Sequence, residues 1–138
     1  MRLIFGLEMS QYLFAYGTLR LNQDHKLSKE FESKSELIGL GYMSHARLYK
    51  IDWQPALIKS DNKADIVIGD IYKIKDAQII TSLDEYEGVG VGQPPYEYDR
   101  HEVEVISDGK TYPCWVYWYN FKLPENADWI ESGDFLNP

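Results

Sequence analysis

The stretch His101-Glu102-Val103-Glu104-Val105-Ile106-Ser107-Asp108-Gly109-Lys110-Thr111-Tyr112-Pro113-Cys114-Trp115-Val116-Tyr117-Trp118-Tyr119 decides the fold class. His101 to Ile106 and Thr111 to Tyr119 are rich in β-branched and aromatic residues and flank an Asp-Gly pair. That pair supplies the positive φ angles a tight hairpin turn requires, so the two runs are expected to be strands joined by a hairpin. Upstream, Ile66 to Ile74 reads as another strand, with Gly69 as the expected bulge. Glu36 to Ile51 and Ala56 to Ser60 alternate as strands do, and Asp61-Asn62-Lys63 marks a turn. Gln11 to Tyr16 is apolar and aromatic and runs into Gly17 and Thr18, as a buried strand ending in a tight loop does. Against these stand two short helices, Asp24 to Phe31 and one that Asp76 caps and Gly88 ends. Strands outnumber helices without alternating with them. That argues against a doubly wound parallel sheet and favours an α+β domain with a strongly curved or closed mixed sheet.

The second helix carries the chemistry. In Leu83-Asp84-Glu85-Tyr86-Glu87-Gly88, advancing about 100° per residue, Ile79, Ile80, Leu83 and Tyr86 form one apolar stripe. Glu87 lies roughly 50° from its centre, whereas Glu85 points nearly opposite. A carboxylate half inside an apolar stripe and at the negative end of the helix dipole has its anion disfavoured twice, so its pKa is expected to rise toward neutrality. That suits a general base. The structural alternative is a packed stem with its head in water. Leu83 and Tyr86 read as core, Asp84 as a flanking polar residue that braces the next turn. Gly88, Gly90 and Gly92 follow a helix instead of a strand, which is the wrong polarity for a dinucleotide-binding loop. Gly88 to Pro95 reads as a loop able to cover a small substrate.

At 138 residues the chain suits one domain. The formal net charge of −8 and the scatter of basic residues oppose a phosphate-binding surface, so no nucleic-acid partner is expected. His25, His45 and His101 lie far apart, and no metal or other cofactor is implied. The lone Cys114 rules out an intramolecular disulfide framework, fits a reducing compartment and reads as a buried strand position. Residues 1–10 lack a small-residue cleavage site, and nothing approaches a membrane span, so a cytoplasmic protein is expected. Met9 offers a second start, which would leave residues 1–8 as an upstream extension; the domain is expected over residues 11–138, with 1–10 as an N-terminal extension before it.

Tyr16-Gly17-Thr18-Leu19-Arg20, then Leu83-Asp84-Glu85-Tyr86-Glu87-Gly88, then Tyr98-Asp99-Arg100 and the tail Glu131-Ser132-Gly133-Asp134-Phe135 resemble, in that order, the gamma-glutamylcyclotransferase-like family, most closely its AIG2-like branch. The resemblance implies a mixed, largely closed β-barrel with flanking short helices. It implies Glu87 as the catalytic glutamate and Tyr16, Gly17, Thr18 and Leu19 as the substrate loop. Arg20 and Arg100 are candidates for the substrate α-carboxylate, because a guanidinium grips both oxygens. For each the alternative is an ion pair with one of the many acids. Tyr98 and Tyr119 are candidate pocket residues, the alternative for both being packing.

The implied chemistry is cyclisation. The free α-amine of a gamma-glutamyl amine or peptide attacks its own γ-carbonyl, closes 5-oxoproline and expels the amine; tethering of the nucleophile supplies much of the catalysis. Glu87 moves the proton, and backbone N–H groups of the loop meet the oxyanion. A non-catalytic barrel binding a small metabolite is the alternative from the same residues.

Overall fold

The computed structural model describes residues 11–17, 26–90 and 92–138. Five strands close a barrel in the order β1 (Tyr12–Ala15), β5 (Ile66–Ile74), β2 (Ser35–Ser44), β6 (Tyr98–Ser107), β7 (Lys110–Tyr119). Neighbours are antiparallel except at the closure, where β1 and β7 run parallel with Tyr12 opposite Cys114 and Leu13 opposite Trp115. A second sheet has the order β4 (Gln54–Lys59), β3 (Ala46–Ile51), β8 (Asp128–Ile130). Helices α1 (Lys26–Lys34) and α2 (Gln78–Glu87) pack beside the barrel. The expected α+β class with a closed mixed barrel and short flanking helices is the observed one.

Local chemistry explains the elements. Asp108 and Gly109 both have positive φ, and Ser107 pairs with Lys110 across them, as the Asp-Gly hairpin demands. Strand β7 alternates strictly: Cys114, Val116 and Trp118 join the barrel interior, while Trp115, Tyr117 and Tyr119 face the cluster built with the helices. Strand β1 does the same with Phe14 inward and Leu13 toward α1 and α2, so both of its faces are buried.

Gly69 is not the bulge expected of it. It pairs in register with Gly41, and the irregularity lies in β2 between Leu37 and Gly39. Gly69 serves close approach instead: a Cβ there would stand 2.5 Å from the Ala15 carbonyl oxygen and 2.8 Å from the Phe14 ring.

Helix α2 stops where its sequence says but starts one residue later than expected, with Ala77 and not Asp76 as its N-cap and no side-chain bond from that cap. Asp76 Oδ1 accepts the Gln78 N–H at 3.0 Å, and Gly88 leaves the helix in the left-handed conformation with φ of 79°. The Val89 N–H then reaches the Asp84 carbonyl at 2.8 Å. The helix therefore ends with Glu87 held against the barrel mouth.

Candidate active site

A cavity of about 320 Å³ opens where the end of β1, the β3–β4 turn, the last turn of α2 and the start of β6 meet. Its floor is Leu13 to Gly17 with Tyr98 and Tyr117; its rim is Trp53 to Pro55, Tyr86 and Glu97; Glu87 lies between. Its volume suits a small-molecule ligand.

The helical row that places Glu87 is Ile79, Leu83, Glu87, each four residues after the last. Ile79 and Leu83 are fully buried and Glu87 partly so, whereas Tyr86 is half exposed. Tyr86 is therefore a cavity wall and not the core residue expected, because the stripe follows the i, i+4 row and reaches Glu87 in its place.

Three phenols surround Glu87, and each has given its O–H elsewhere. Tyr16 donates to the Tyr117 carbonyl, Tyr98 to the Pro55 carbonyl at 2.6 Å, and Tyr117 to Asp84 Oδ1 at 2.7 Å. Burial first, and in each case also the negative charge of Glu87, push all three phenols above the usual tyrosine range and keep them protonated. Among the described residues no donor and no cation reaches the Glu87 carboxylate. Its pKa is accordingly lifted from 4.5 to about 7, by burial first and by the charge of Glu97 second. A carboxylate that is half protonated near neutrality and faces a cavity is able both to take and to return a proton.

The other expected site residues divide. Tyr16, Gly17 and Tyr98 line the cavity. Gly17 packs so closely on Pro55 that a Cβ would stand 2.5 Å from its Cγ. Thr18, Leu19 and Arg20 lie outside the described residues. Arg100 does not line the cavity: its Nε and Nη2 grip the two oxygens of Asp84 at 2.8 and 3.0 Å, and the guanidinium lies 4.3 Å over the Trp115 ring. Of the two roles open to Arg100, the structure shows the ion pair: the carboxylate it grips is the protein's own. Tyr119 is also outside the cavity wall and stacks edge-on against Tyr98 at 5.5 Å.

Trp53, Gln54, Pro55, Tyr86, Glu97 and Tyr117 complete the wall and were not expected there. Trp53 alone carried a signal, an indole in a chain turn with no apolar periodicity to bury it. Gln54 and Pro55 on β4 meet Tyr117 on β7 through the approach of those strands, and Tyr86 on α2 and Glu97 just before β6 join them from distant parts of the chain, which no local pattern encodes.

Solved structures of similar fold include the E. coli protein ytfP, with 25% identity and a TM-score of 0.67 over 91% of this chain and 96% of that one. An AIG2-like protein from Mus musculus has 24% identity and a TM-score of 0.65, over 86% and 82%. YkqA from Bacillus subtilis has 24% identity and a TM-score of 0.64 over 92% of this chain, which spans only 40% of YkqA. No curated protein sequence matches the chain. The family model for gamma-glutamyl cyclotransferase, AIG2-like, matches residues 13–137, nearly the whole of the barrel and its tail, and the chain belongs to that family.

Proposed function

We propose that this protein cyclises a gamma-glutamyl amine or peptide to 5-oxoproline with release of the amine. The observation that carries the reading is Glu87: a cavity carboxylate without donor or cation among the described residues, with its pKa near 7. A substrate α-ammonium is the partner that such a group lacks.

The steps balance without an enzyme nucleophile. Glu87 takes one proton from the α-ammonium, and the freed nitrogen lone pair forms a bond to the γ-carbonyl carbon. The tetrahedral oxyanion is met by backbone N–H groups of the loop beginning at Tyr16-Gly17, where Thr18 and Leu19 keep the role the resemblance implies. As the oxyanion collapses, the bond from carbon to the leaving nitrogen breaks and Glu87 returns its proton to that nitrogen. The attacking nitrogen sheds its second excess proton to water, and the departing amine takes one up there. The phenols of Tyr16, Tyr98 and Tyr117, already bonded to the protein, fix the shape of the cavity and exclude water.

Of the two arginines considered for the substrate carboxylate, Arg100 leaves the proposal, since Asp84 occupies it. Arg20 keeps its place on the strength of Tyr16-Gly17-Thr18-Leu19-Arg20 alone. A cytoplasmic location belongs to the same proposal; the buried, free Cys114 accords with it.

The test is mass-spectrometric detection of 5-oxoproline after incubation with gamma-glutamyl amines, gamma-glutamyl dipeptides, glutathione and ε-(gamma-glutamyl)lysine. At least one is expected to be cyclised, and its N-acetylated form, whose amine is blocked, is expected to be inert. Tight binding of a panel member with no 5-oxoproline from any of them would replace the enzyme by a metabolite-binding barrel.

A further inference from the structure

Five exposed apolar side chains gather on one outward face of the barrel, on the side away from the helices. Met43, Val67, Ile71 and Val105 point into the core, so the residues alternating with them on β2, β5 and β6 point out. Register sets Tyr42 of β2 beside Ile106 of β6, with Leu40 and Leu37 along the same strand and Ile66 of β5 opposite Ser44. The irregularity between Leu37 and Gly39 matters here, because it returns Leu37 to the face of Leu40 and Tyr42 despite the odd spacing. Leu37, Leu40, Tyr42, Ile66 and Ile106 are each between 44% and 57% exposed. Helices α1 and α2 pack over Leu13 of β1 and Tyr117 of β7, two strands away from β2 in either direction.

Size, charge and shape narrow what covers this face. The five side chains leave roughly 450 Å² exposed, the size at which the largest patch on a monomer often has a binding role. Two such faces bury about 900 Å² from these residues alone, and their polar borders carry the pair past the roughly 1,000 Å² that a specific interface needs. Ser35 to Ser44 holds one charge, Glu36, in a chain of net charge −8. Two copies repel over most of their surface, and β2 is where they meet with least repulsion. A foreign partner recruited by charge finds nothing to read there. Adjacent strands form a broad pleated surface, which packs well against another of its kind about 10 Å away. A two-fold axis lets one such face meet itself.

We propose that this face holds a second copy of the chain in a two-fold, face-to-face dimer that dissociates reversibly in the micromolar range. Tyr98, which lines the cavity, and Ile106 lie eight residues apart on β6, about 26 Å, so both cavities stay open in the dimer. The inference does not depend on the cyclisation reading.

Sedimentation equilibrium of the full chain tests it. The average mass is expected to rise from 16.1 kDa at about 1 µM to nearly twice that at about 200 µM. Added salt is expected to strengthen the dimer, because it screens the repulsion between two negative chains; weakening by salt would overturn an apolar contact. Tyr42→Lys and Ile106→Lys each place a cation in the face and are expected to weaken the dimer at least about tenfold. Both side chains reach solvent in the monomer, so the melting temperature at about 1 µM is expected to stay within a few degrees of the wild type, which separates lost contact from lost fold. Phe121→Lys makes the same change of charge at a similarly exposed ring elsewhere and is expected to dimerise as the wild type does. A wild type that keeps a mass of 16.1 kDa at about 200 µM overturns the assignment and leaves the face to a different protein. Dimerisation that survives both Tyr42→Lys and Ile106→Lys overturns it as well.

Discussion

Arg100 and Asp84 form a two-pronged ion pair, Nε to Oδ1 at 2.8 Å and Nη2 to Oδ2 at 3.0 Å, and Tyr117 donates to the same Oδ1. Asp84 is three residues before Glu87 on α2, and Arg100 and Tyr117 pair across β6 and β7. The pair therefore ties the helix bearing the candidate base to the barrel wall.

Removing one partner leaves a half-buried charge uncompensated, with side chains only 18% and 21% exposed. Arg100→Ala is expected to lower stability by about 2 kcal/mol, and Arg100→Lys by less, since lysine cannot reproduce the fork. Denaturant unfolding checks this, and a double cycle with Asp84→Asn isolates the coupling. A rise in KM at unchanged stability would return Arg100 to the substrate.

The pKa of Glu87 gives two pH effects of fixed sign. As a base it must be ionised, so kcat/KM is expected to fall as pH drops through about 7. For folding the sign is opposite. The folded pKa lies above the unfolded one, so the stabilising contribution of the neutral acid is complete below about pH 4.5 and is lost as pH rises through about 7. Glu87→Gln is expected to melt several degrees above the wild type at pH 8, for on the order of 2 kcal/mol, and at a similar temperature at pH 4. Thermal melts of both proteins at the two pH values test this.

Gly69→Ala is expected to cost about 2–3 kcal/mol, because the new methyl meets the Ala15 carbonyl and the Phe14 ring in the packed wall. A stabilised variant, as an unstrained glycine replacement gives, would show that β1 and β5 are less closely set.

Cys114 is buried, and burial, reinforced by Glu102, pushes its thiol up to about 12. A thiol-exchange reagent is expected to label it only after denaturation, and stoichiometric labelling of the folded protein would contradict its position.

Much of this was legible in the chain because the decisive signals were local. The hairpin at Asp108-Gly109, the helix between Asp76 and Gly88 and the alternation of β7 depend on neighbours in sequence. The site was legible where one helix sets it, at Glu87, since four-residue spacing from Leu83 is a property of the chain itself. Tyr86 was misplaced because an apolar stripe was centred between residues 79, 80, 83 and 86, whereas packing chose the row 79, 83, 87. The role of Gly69, and the choice between the two roles open to Arg100, are each fixed by a distant partner, Ala15 for one and Asp84 for the other. Glu97 and Tyr117 reach the cavity through the closed barrel, and Trp53 through the second sheet packed against it.

The central claim is that Glu87 moves the proton, and the most direct measurement is the single-turnover rate of 5-oxoproline release by Glu87→Gln against the wild type, on a substrate the wild type cyclises. Gln keeps the size of the side chain and cannot take the proton, so the rate is expected to fall by about 10²- to 10⁴-fold in a folded protein. Exposed Glu85 is the matched control, and Glu85→Gln is expected to retain full activity. A Glu87→Gln protein that turns over at the wild-type rate would contradict the account.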